Sequence, residues 1–519
     1  MKVTDALDGA LSTLLAKPAA VLPAYFVGYG AGTIARTIPL IGLFLAYLLL
    51  LFQGRLAPLE EALAGTDFEA IDEAGDDPAT ADPDALPAEQ LEQALAGLFT
   101  PGVIAVIGIS ILVGIAVWIL VGAAFHAGQI HTVYAALRGQ RPVESGVTGA
   151  VGDTKPFVGL RLLEYGLYLL VTLVYGLVVF VAGAIYAADP GIGLVVAAGA
   201  ALLAPVWLLS MILIAAVFVF APQAVVIDRV GTIEGLKRGA GFVRRRPGAF
   251  AVYVVIAIGL SAAIGVATAG LAILGVSNVV SLFGLLFVAP FLHLLKTGIY
   301  AEGERIDTRP LLSGDGPGAR ARLRAGWNRS MRSLRAFTLS KGGLGLTGLS
   351  LLLFGIGTLG GYLAVGEFAV ETGEIGDPTM VFGAFPLDTF VMIAVNNWLV
   401  ALGQTFAGLA LGIPTAVNLL FNGAVVGIVA GVSADLFAVA ALVVPHALLE
   451  VPALAVSGAL GFYLAGAGWQ RFRGRNDDAA LAAAIRTAFW VMVGLALVFV
   501  VASFVEAFLT PRIAGWLLA

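Results

Sequence analysis

The chain has 519 residues, of which 59% are hydrophobic and 12% are charged, and its formal net charge is -5 at pH 7. Soluble domains carry about 25% charged residues, so this composition excludes an ordinary soluble enzyme and predicts a polytopic membrane protein. The sequence has no cysteine, which excludes disulfides, thiol nucleophiles and cysteine metal sites.

Long apolar stretches determine the predicted fold. Several exceed the ~20 residues that a helix needs to cross a bilayer, and their Leu, Ala, Gly and Phe content favours helices over barrel strands. The fold class is therefore all-α, with about 11 transmembrane helices. Six are predicted in the first half, at roughly 18–53, 99–137, 157–187, 192–222, 247–273 and 276–300. The first stretch is too long for one straight span, and Pro39 is expected to break it.

Loop charges set the predicted orientation. The acidic loop at 57–98 contains no Lys or Arg, whereas basic residues gather in four other segments, around Arg138, Arg245, Arg324 and Arg473. The positive-inside rule places those four segments in the cytoplasm and the acidic loop outside. The N-terminus is then inside and the C-terminus outside. Arginine outnumbers lysine and acidic residues concentrate in loops, which is a haloarchaeal-like composition.

A repeated pattern runs through the first half. "ALDGALSTLLAKPAAVLPAYF" and "GLKRGAGFVRRRPGAFAVYVV" align, matching Lys17-Pro18 with Arg246-Pro247, and "VGDTKPFVGLRLLEY" is a fainter third copy. Three units of a cytoplasmic helix, a basic-Pro step and a helical hairpin would account for all six spans. The alternative is that Lys/Arg-Pro only marks the start of a span, since proline suits the first turn of a helix.

The segment 301–341 is predicted to be a basic cytoplasmic linker between two membrane domains, 1–300 and 342–519. Leu323, Trp327, Met331 and Leu334 recur in it at helical spacing. Such a helix would lie on an anionic inner leaflet or dock a partner. Its basic strip consists of Arg322, Arg324, Arg329, Arg332 and Arg335. Each half has its own spans, so the two are expected to fold separately.

The second half has five predicted spans, near 342–366, 389–411, 415–434, 436–468 and 484–509, and several polar residues lie within them. Amides such as Asn418 and Asn422 share a helix face and are expected to bond across to other helices. The candidate polar intramembrane cluster consists of Asn396, Asn397, Asn422, His446, Glu450 and Glu506.

His446 and Glu450 are the central pair of this cluster. They stand four residues apart and are expected to hydrogen-bond to each other, between helix breaks at Pro445 and Pro452. A buried glutamate is costly unless it is paired, so both side chains should face the bundle interior. One hypothesis is an ion or proton pathway or a catalytic base; the other is a pair that only stabilises a kink.

Catalytic chemistry has little support in the sequence. Zinc sites need three protein ligands, and His446 with Glu450 supplies two, so no metal and no cofactor are predicted. The phosphate-binding pattern G-x-x-x-x-G-K-[ST] is absent, and the Gly-rich stretches lie in apolar helices, where small residues permit close packing. We expect no enzymatic activity.

Four stretches of the second half carry a family resemblance: "FPLDTFVMIAVNNWLVAL", "LFNGAVVGIVAG", "VVPHALLEVPALAVSGALGFYLAG" and "VASFVEAFLTP". Together they resemble the stage II sporulation protein M family over about 335–512. The match rests on Asn396-Asn397, Asn422-Gly423, the Pro-His-x-x-x-Glu-x-Pro-Ala run from Pro445, and the Glu-Ala-x-x-Thr-Pro run from Glu506; Ala447 replaces a glycine usual in the family. The resemblance implies a five-helix membrane domain and a membrane anchor that recruits wall-degrading proteins.

The first half resembles archaeal multi-span domains of unknown function and the membrane domain of some glycerophosphodiester phosphodiesterases, through "VIDRVGTIEGLKRGAGFVRRRPGAF". The sequence therefore predicts a scaffold of the cell membrane that organises membrane or envelope proteins, with the lipid bilayer but no nucleic acid as a partner. The alternative is a transporter or channel-like permease with a polar midplane site around His446 and Glu450.

Overall fold

The structure, a computed structural model, describes residues 3–64, 88–301, 318–366, 386–433 and 435–518. Within these ranges the chain is all-helical, and 11 helices are long and apolar enough to cross a membrane. They are Pro18–Phe52, Pro101–Leu137, Thr154–Ala188, Pro190–Asp228, Pro247–Ile273, Asn278–Tyr300, Lys341–Val365, Leu387–Ala407, Ile413–Gly431, Leu436–Phe472 and Asp478–Leu518. The predicted multi-pass helical class is confirmed.

In chain order the first half contains α1 (Val3–Ala16), α2 (Pro18–Phe52), α3 (Ala57–Ala64), α4 (Ala88–Leu98), α5 (Pro101–Leu137), α6 (Pro142–Gly152), α7 (Thr154–Ala188), α8 (Pro190–Leu202), α9 (Ala204–Phe218), α10 (Ala221–Asp228), α11 (Thr232–Arg245), α12 (Pro247–Ile273), α13 (Asn278–Phe283) and α14 (Ala289–Tyr300). A π-helical turn, Gly284–Val288, joins α13 to α14. The first residues of the predicted acidic loop form α3 and its last residues form α4. Residues 65–87 lie outside the described part of the chain.

The second half contains α15 (Ala319–Thr338), α16 (Lys341–Val365), α17 (Leu387–Ala407), α18 (Ile413–Gly431), α19 (Leu436–Phe472), α20 (Asp478–Phe504) and α21 (Thr510–Leu518). A second π-helical turn, Val505–Leu509, joins α20 to α21. Part of the predicted linker is thus the helix α15, while 302–317 lies outside the described residues.

The first span is one continuous helix, which corrects the expected break at Pro39. Helix α2 has 35 residues and contains both Pro23 and Pro39. Gly114 of α5 faces Pro39, where a Cβ would lie 3.3 Å from the proline Cδ. The surplus length is explained by packing, because the first part of α2, including Tyr25 and Phe26, is buried among helices at the end of the molecule that carries the basic loops.

Several short helices pack together at this basic-loop end. Helices α1, α6, α10 and α11 surround the adjoining ends of the long helices there, and three apolar cores form between them. The spans α7 and α12, by contrast, leave most of their apolar side chains exposed, as lipid-facing helices do. We call the packed end the platform. It comprises α1, α6, α10, α11, α15 and the adjacent turns of the long helices.

The platform joins the two halves of the chain. Phe26 of α2 makes aromatic contacts with Trp398, Phe406 and Phe489 of the second half. Close to this point a Cβ at Gly30 would lie 2.6 Å from the carbonyl carbon of Phe406. The sequence boundary at the linker is therefore not a boundary in packing.

Two of the repeat copies share their backbone geometry. Lys17 has φ -131° and ψ 52°, and Arg246 has φ -129° and ψ 56°, each between a 14-residue helix and a long helix that starts with proline. Asp153, at the third junction, has φ -104° and ψ 13°. The step that links a platform helix to a span is thus the same at Lys17 and Arg246 and differs at Asp153.

Helices α16 and α18 pack through glycines from both sides. A side chain at Gly357 or Gly361 would overlap the backbone of Leu420 or Ala424, and one at Gly423 or Gly427 would overlap the backbone of α16. Glycines spaced by four form one face on each helix, so the backbones can approach closely. This is the close packing that the Gly-rich apolar stretches predict.

Candidate functional site

The polar cluster lies where α19 meets the last span. His446 and Glu450 stand one helical turn apart on α19, and Glu506 comes from the π-helical turn Val505–Leu509. One ligand atom from each of these three residues lies within 4.8 Å of the other two. The structure therefore brings three of the predicted site residues together.

Neighbouring helices supply the hydrogen bonds of the cluster. Asn397 Nδ2 on α17 donates to Glu450 Oε1 at 2.9 Å, and the Thr510 hydroxyl lies 3.4 Å from His446 Nδ1. Among the described residues, His446 and Glu450 make these bonds and none to each other, which corrects the expected direct pair. Glu450 turns to Asn397 because the amide of a facing helix is within reach.

Asn396 and Asn422 are placed differently from Asn397. Asn396 reaches the cluster only through Asn397, with a 3.5 Å contact between their amides, and is itself exposed. Asn422 Nδ2 donates to the carbonyl of Asn418 in its own helix at 2.7 Å, and Asn418 does the same to Pro414. These two amides thus bond within α18 rather than across helices.

Pro445 and Pro452 flank the cluster without ending the helix. Both lie inside the 37-residue helix α19, which corrects the prediction of helix breaks. Each proline removes one backbone donor, and a membrane helix can absorb such a loss when its neighbours hold it in place. The prolines therefore weaken the backbone bonding of α19 around His446 and Glu450.

Glu506 is the least satisfied member of the cluster. Its Oε2 atom is buried and has no hydrogen-bond partner within the described part of the chain. One carboxylate oxygen of Glu450 lies within 4.8 Å of one of Glu506. Two carboxylates so close are stable together only with a proton or a cation between them.

The cluster also offers three ligands that a metal ion can use, from His446, Glu450 and Glu506. Three protein ligands with an open fourth position are the usual arrangement of catalytic zinc. Thr510 contacts His446 at Nδ1, and Asn397 donates to Glu450 Oε1, as the outer partners of metal ligands do. The sequence prediction of no metal counted only His446 and Glu450. Glu506, which that prediction did not count, is a third candidate ligand.

Sequence reasoning also gave no role to Thr510. The available signal was its spacing, because Glu506 and Thr510 are four residues apart, as His446 and Glu450 are. Two such pairs on facing helices can meet as four groups. Only the tertiary structure shows that Thr510 meets His446.

Gln404 connects three helices of the second half by hydrogen bonds. Its Nε2 donates to the carbonyl of Leu454 at 2.8 Å and also contacts the hydroxyl of Ser457. Its backbone carbonyl accepts from the Thr415 hydroxyl at 2.7 Å. Gln404 is fully buried, and its hydrogen bonds hold α17, α18 and α19 together.

The basic strip lies on α15, which packs against α20. Met331 and Leu334 contact the position of Gly494, whereas Leu323 is 75% exposed and Trp327 49% exposed. One strip member, Arg329, stacks over the Trp490 ring at 4.9 Å. The others are Arg322, which is partly buried, and the exposed Arg324, Arg332 and Arg335.

Comparison with known proteins supports the resemblance in the second half. Residues 350–511 match the family model of stage II sporulation protein M. An uncharacterized protein of Methanocaldococcus jannaschii is 25% identical over 177 residues, which cover 33% of this chain and 96% of that protein. No solved structure matches the chain. The chain is therefore a multi-pass membrane protein with a region similar to this family.

Proposed function

We propose that this chain, whose residues 350–511 match the stage II sporulation protein M family, is a non-enzymatic scaffold of the cell membrane. It anchors membrane or envelope proteins and holds them at one place on the bilayer. In this proposal the spans fix the position in the membrane, and the platform offers the surface on which partners assemble.

The platform is the observation that carries this proposal. Helices α2, α5, α7 and α19 have 35 or 37 residues, which is about 53 to 56 Å of helix against a hydrocarbon core of about 30 Å. The helical turns beyond that thickness pack into the apolar cores at the basic-loop end. A rigid helical body next to the bilayer suits protein docking.

The platform also presents apolar side chains that the chain itself does not cover. Phe472 is 79% exposed and Trp469 is 45% exposed at the end of α19. They border an apolar cavity of about 420 Å³ that residues of both halves line, among them Val147 and Leu481. Exposed aromatic groups at such an edge are typical anchors of protein contacts.

The proposal is tested by photocrosslinking in living cells. A photoreactive phenylalanine analogue at Phe472 should give a protein adduct of defined mass, and the same analogue at the lipid-facing Leu352 should not. The adduct should persist in the Glu450→Gln background, because the polar cluster is not the docking surface. Lipid adducts alone at both positions would contradict the scaffold.

The second candidate function is a cation or proton permease, and the unpartnered carboxylate of Glu506 favours it. A purely structural cluster gains nothing from a buried carboxylate oxygen with no hydrogen bond. Intramembrane carboxylates beside a histidine are typical of ion and proton pathways. Here Glu450 and Glu506 would pass the cation between them, with His446 as a third ligand.

Ion flux separates the two candidates. The full chain in proteoliposomes is given a proton or cation gradient, and dye fluorescence reports the flux. A permease loses its flux in Glu450→Gln and Glu506→Gln, while Asn422→Ala, whose amide bonds within its own helix, retains it. Absence of flux in the unmodified chain supports the scaffold and removes the permease.

A further inference from the structure

A second polar site lies in the first half, among α2, α5, α7 and α14. It is a cavity of about 460 Å³, and its lining includes Tyr29, Arg36, His126, Gln129, Arg161 and His293. None of these residues belongs to the polar cluster around His446. Cavities inside membrane domains that combine arginine, histidine and amide groups are unusual unless a ligand uses them.

Glycines make room for the polar groups of this cavity. The guanidinium of Arg161 lies against Gly122, and the amide of Gln129 lies against Gly28, so any side chain at either glycine would collide with it. Arg36 folds back over its own helix, where Nε donates to the carbonyl of Gly32 at 3.2 Å. The backbone is thus shaped to admit these three side chains.

The cavity carries an excess of positive charge. Arg36 and Arg161 line it, and Lys296, which is 8% exposed, lies one helical turn after His293. In the part of the chain that the structure describes, none of these three cations forms an ion pair. The carboxylate of Glu164 interacts with both Lys296 and Arg161, so one negative charge faces the three cations. The group keeps a net positive charge, and Lys296 is buried, which favours a negative ligand.

The aromatic and histidine groups hold fixed positions. Arg161 stacks over Trp118 at 5.7 Å, which limits the orientations of its guanidinium. The hydroxyl of Tyr25 lies 2.9 Å from His293 Nδ1, which leaves Nε2 for a ligand. His126 and His293 stack with ring centroids 5.4 Å apart. Preorganised groups of this kind bind with little loss of side-chain entropy.

One side of the cavity lies near a basic segment of the chain. Arg161 follows the start of α7 at Thr154 by seven residues, which is about 10 Å of helix, and the basic segment from Arg138 precedes that start. Basic pockets between spans at this level are where anionic headgroups bind. A guanidinium fork also matches the oxygens of a phosphate with two parallel hydrogen bonds.

We propose that this cavity binds a net-negative phosphate group, with Arg161 and Arg36 as its direct ligands and Lys296 as the buried countercharge. A phosphate of this kind reaches the cavity either as the headgroup of an anionic phospholipid or free from the aqueous side. The proposal does not depend on the scaffold, because it concerns residues outside both the platform surface at Phe472 and the polar cluster.

The test uses the full chain, delipidated in a neutral detergent. Short-chain phosphatidylglycerol, short-chain phosphatidylcholine and inorganic phosphate are titrated separately, and native mass spectrometry and thermal stability report binding. We expect one phosphatidylglycerol per chain, bound at least tenfold more tightly than phosphatidylcholine. Binding of inorganic phosphate with similar preference assigns the site to a soluble anion; binding of neither anion overturns the proposal.

Three variants locate the site. Arg161→Gln should weaken binding of the anion at least tenfold. Arg36→Gln, at the exposed rim, should also weaken binding, without disturbing the packing. Arg329→Gln is the matched control, because Arg329 also stacks on a tryptophan but lies on α15, away from the cavity. An equal loss in Arg329→Gln, or an unchanged affinity in folded Arg36→Gln and Arg161→Gln together, would show that the anion binds elsewhere.

Discussion

The hydrogen bond from Asn397 to Glu450 links the second and fourth spans of the second half at 2.9 Å. Removing either partner should lower the free energy of unfolding, and the double variant Asn397→Ala with Glu450→Ala should lose less than the two single losses combined. Bonds of this kind are worth about 0.6 to 2 kcal/mol in membranes, so a coupling energy of that size is expected. Unfolding in detergent, followed by tryptophan fluorescence, measures it.

Asn422→Ala with Glu450→Ala is the matched control for this cycle. Asn422 donates within its own helix, so the two losses should simply add. If the Asn397 pair were equally additive, the contact between α17 and α19 would contribute nothing to stability.

At the residue scale, spacing predicted local neighbours but not tertiary ones. Four-residue spacing placed His446 next to Glu450 correctly, because both lie on one helix face. The bonds that those side chains make come from Asn397 and Thr510, whose positions depend on how helices cross. The cavity at Arg161 shows the same limit, since its charges come from separate spans and no sequence pattern connects them.

At the element scale, the close glycine contacts between α16 and α18 predict that a large side chain there lowers stability. Gly361→Leu should destabilise the protein by about 1 to 3 kcal/mol or more, because the new side chain would overlap the backbone of Ala424. Gly360→Leu is the control, since a Cβ there meets nothing within 4 Å. The yield of monodisperse protein and its melting temperature report the difference. Equal effects at both positions would mean that α16 and α18 do not pack closely.

Element lengths were predictable, and element continuity was not. Hydropathy located the 11 long apolar helices of the described residues, but proline rules alone suggested breaks at Pro39, Pro445 and Pro452. Each of these prolines lies inside a continuous helix, because packing against neighbours outweighs one missing backbone donor. The shared angles at Lys17 and Arg246 show that the aligned sequence copies form the same turn.

At the scale of the whole molecule, the packing of Phe26 predicts that the second half will not fold alone. Residues 330–519 expressed without the first half would expose Trp398, Phe406 and Phe489, and so should aggregate in detergent. Co-expression of residues 1–320 should restore a monodisperse complex. Size-exclusion chromatography measures both results, and a monodisperse isolated fragment would instead support the separate folding that the linker suggested.

The orientation of the whole chain is testable because it lacks cysteine. Single cysteines at the exposed Glu92 and Asp435 should react with an impermeant maleimide in intact cells, because both lie on the predicted outer side. A cysteine at the exposed Arg245 should react only after the cells are opened. External labelling at Arg245 would reverse the assignment.

The contact of Phe26 with Trp398 also has a consequence in time. About 370 residues separate them, so a ribosome adding roughly 5 to 20 residues per second needs about 20 to 75 s to deliver the second partner after the first. During that interval Phe26 of α2 lacks the aromatic partners that it has in the complete chain. We therefore expect nascent chains arrested between these two points to aggregate more readily than the complete chain.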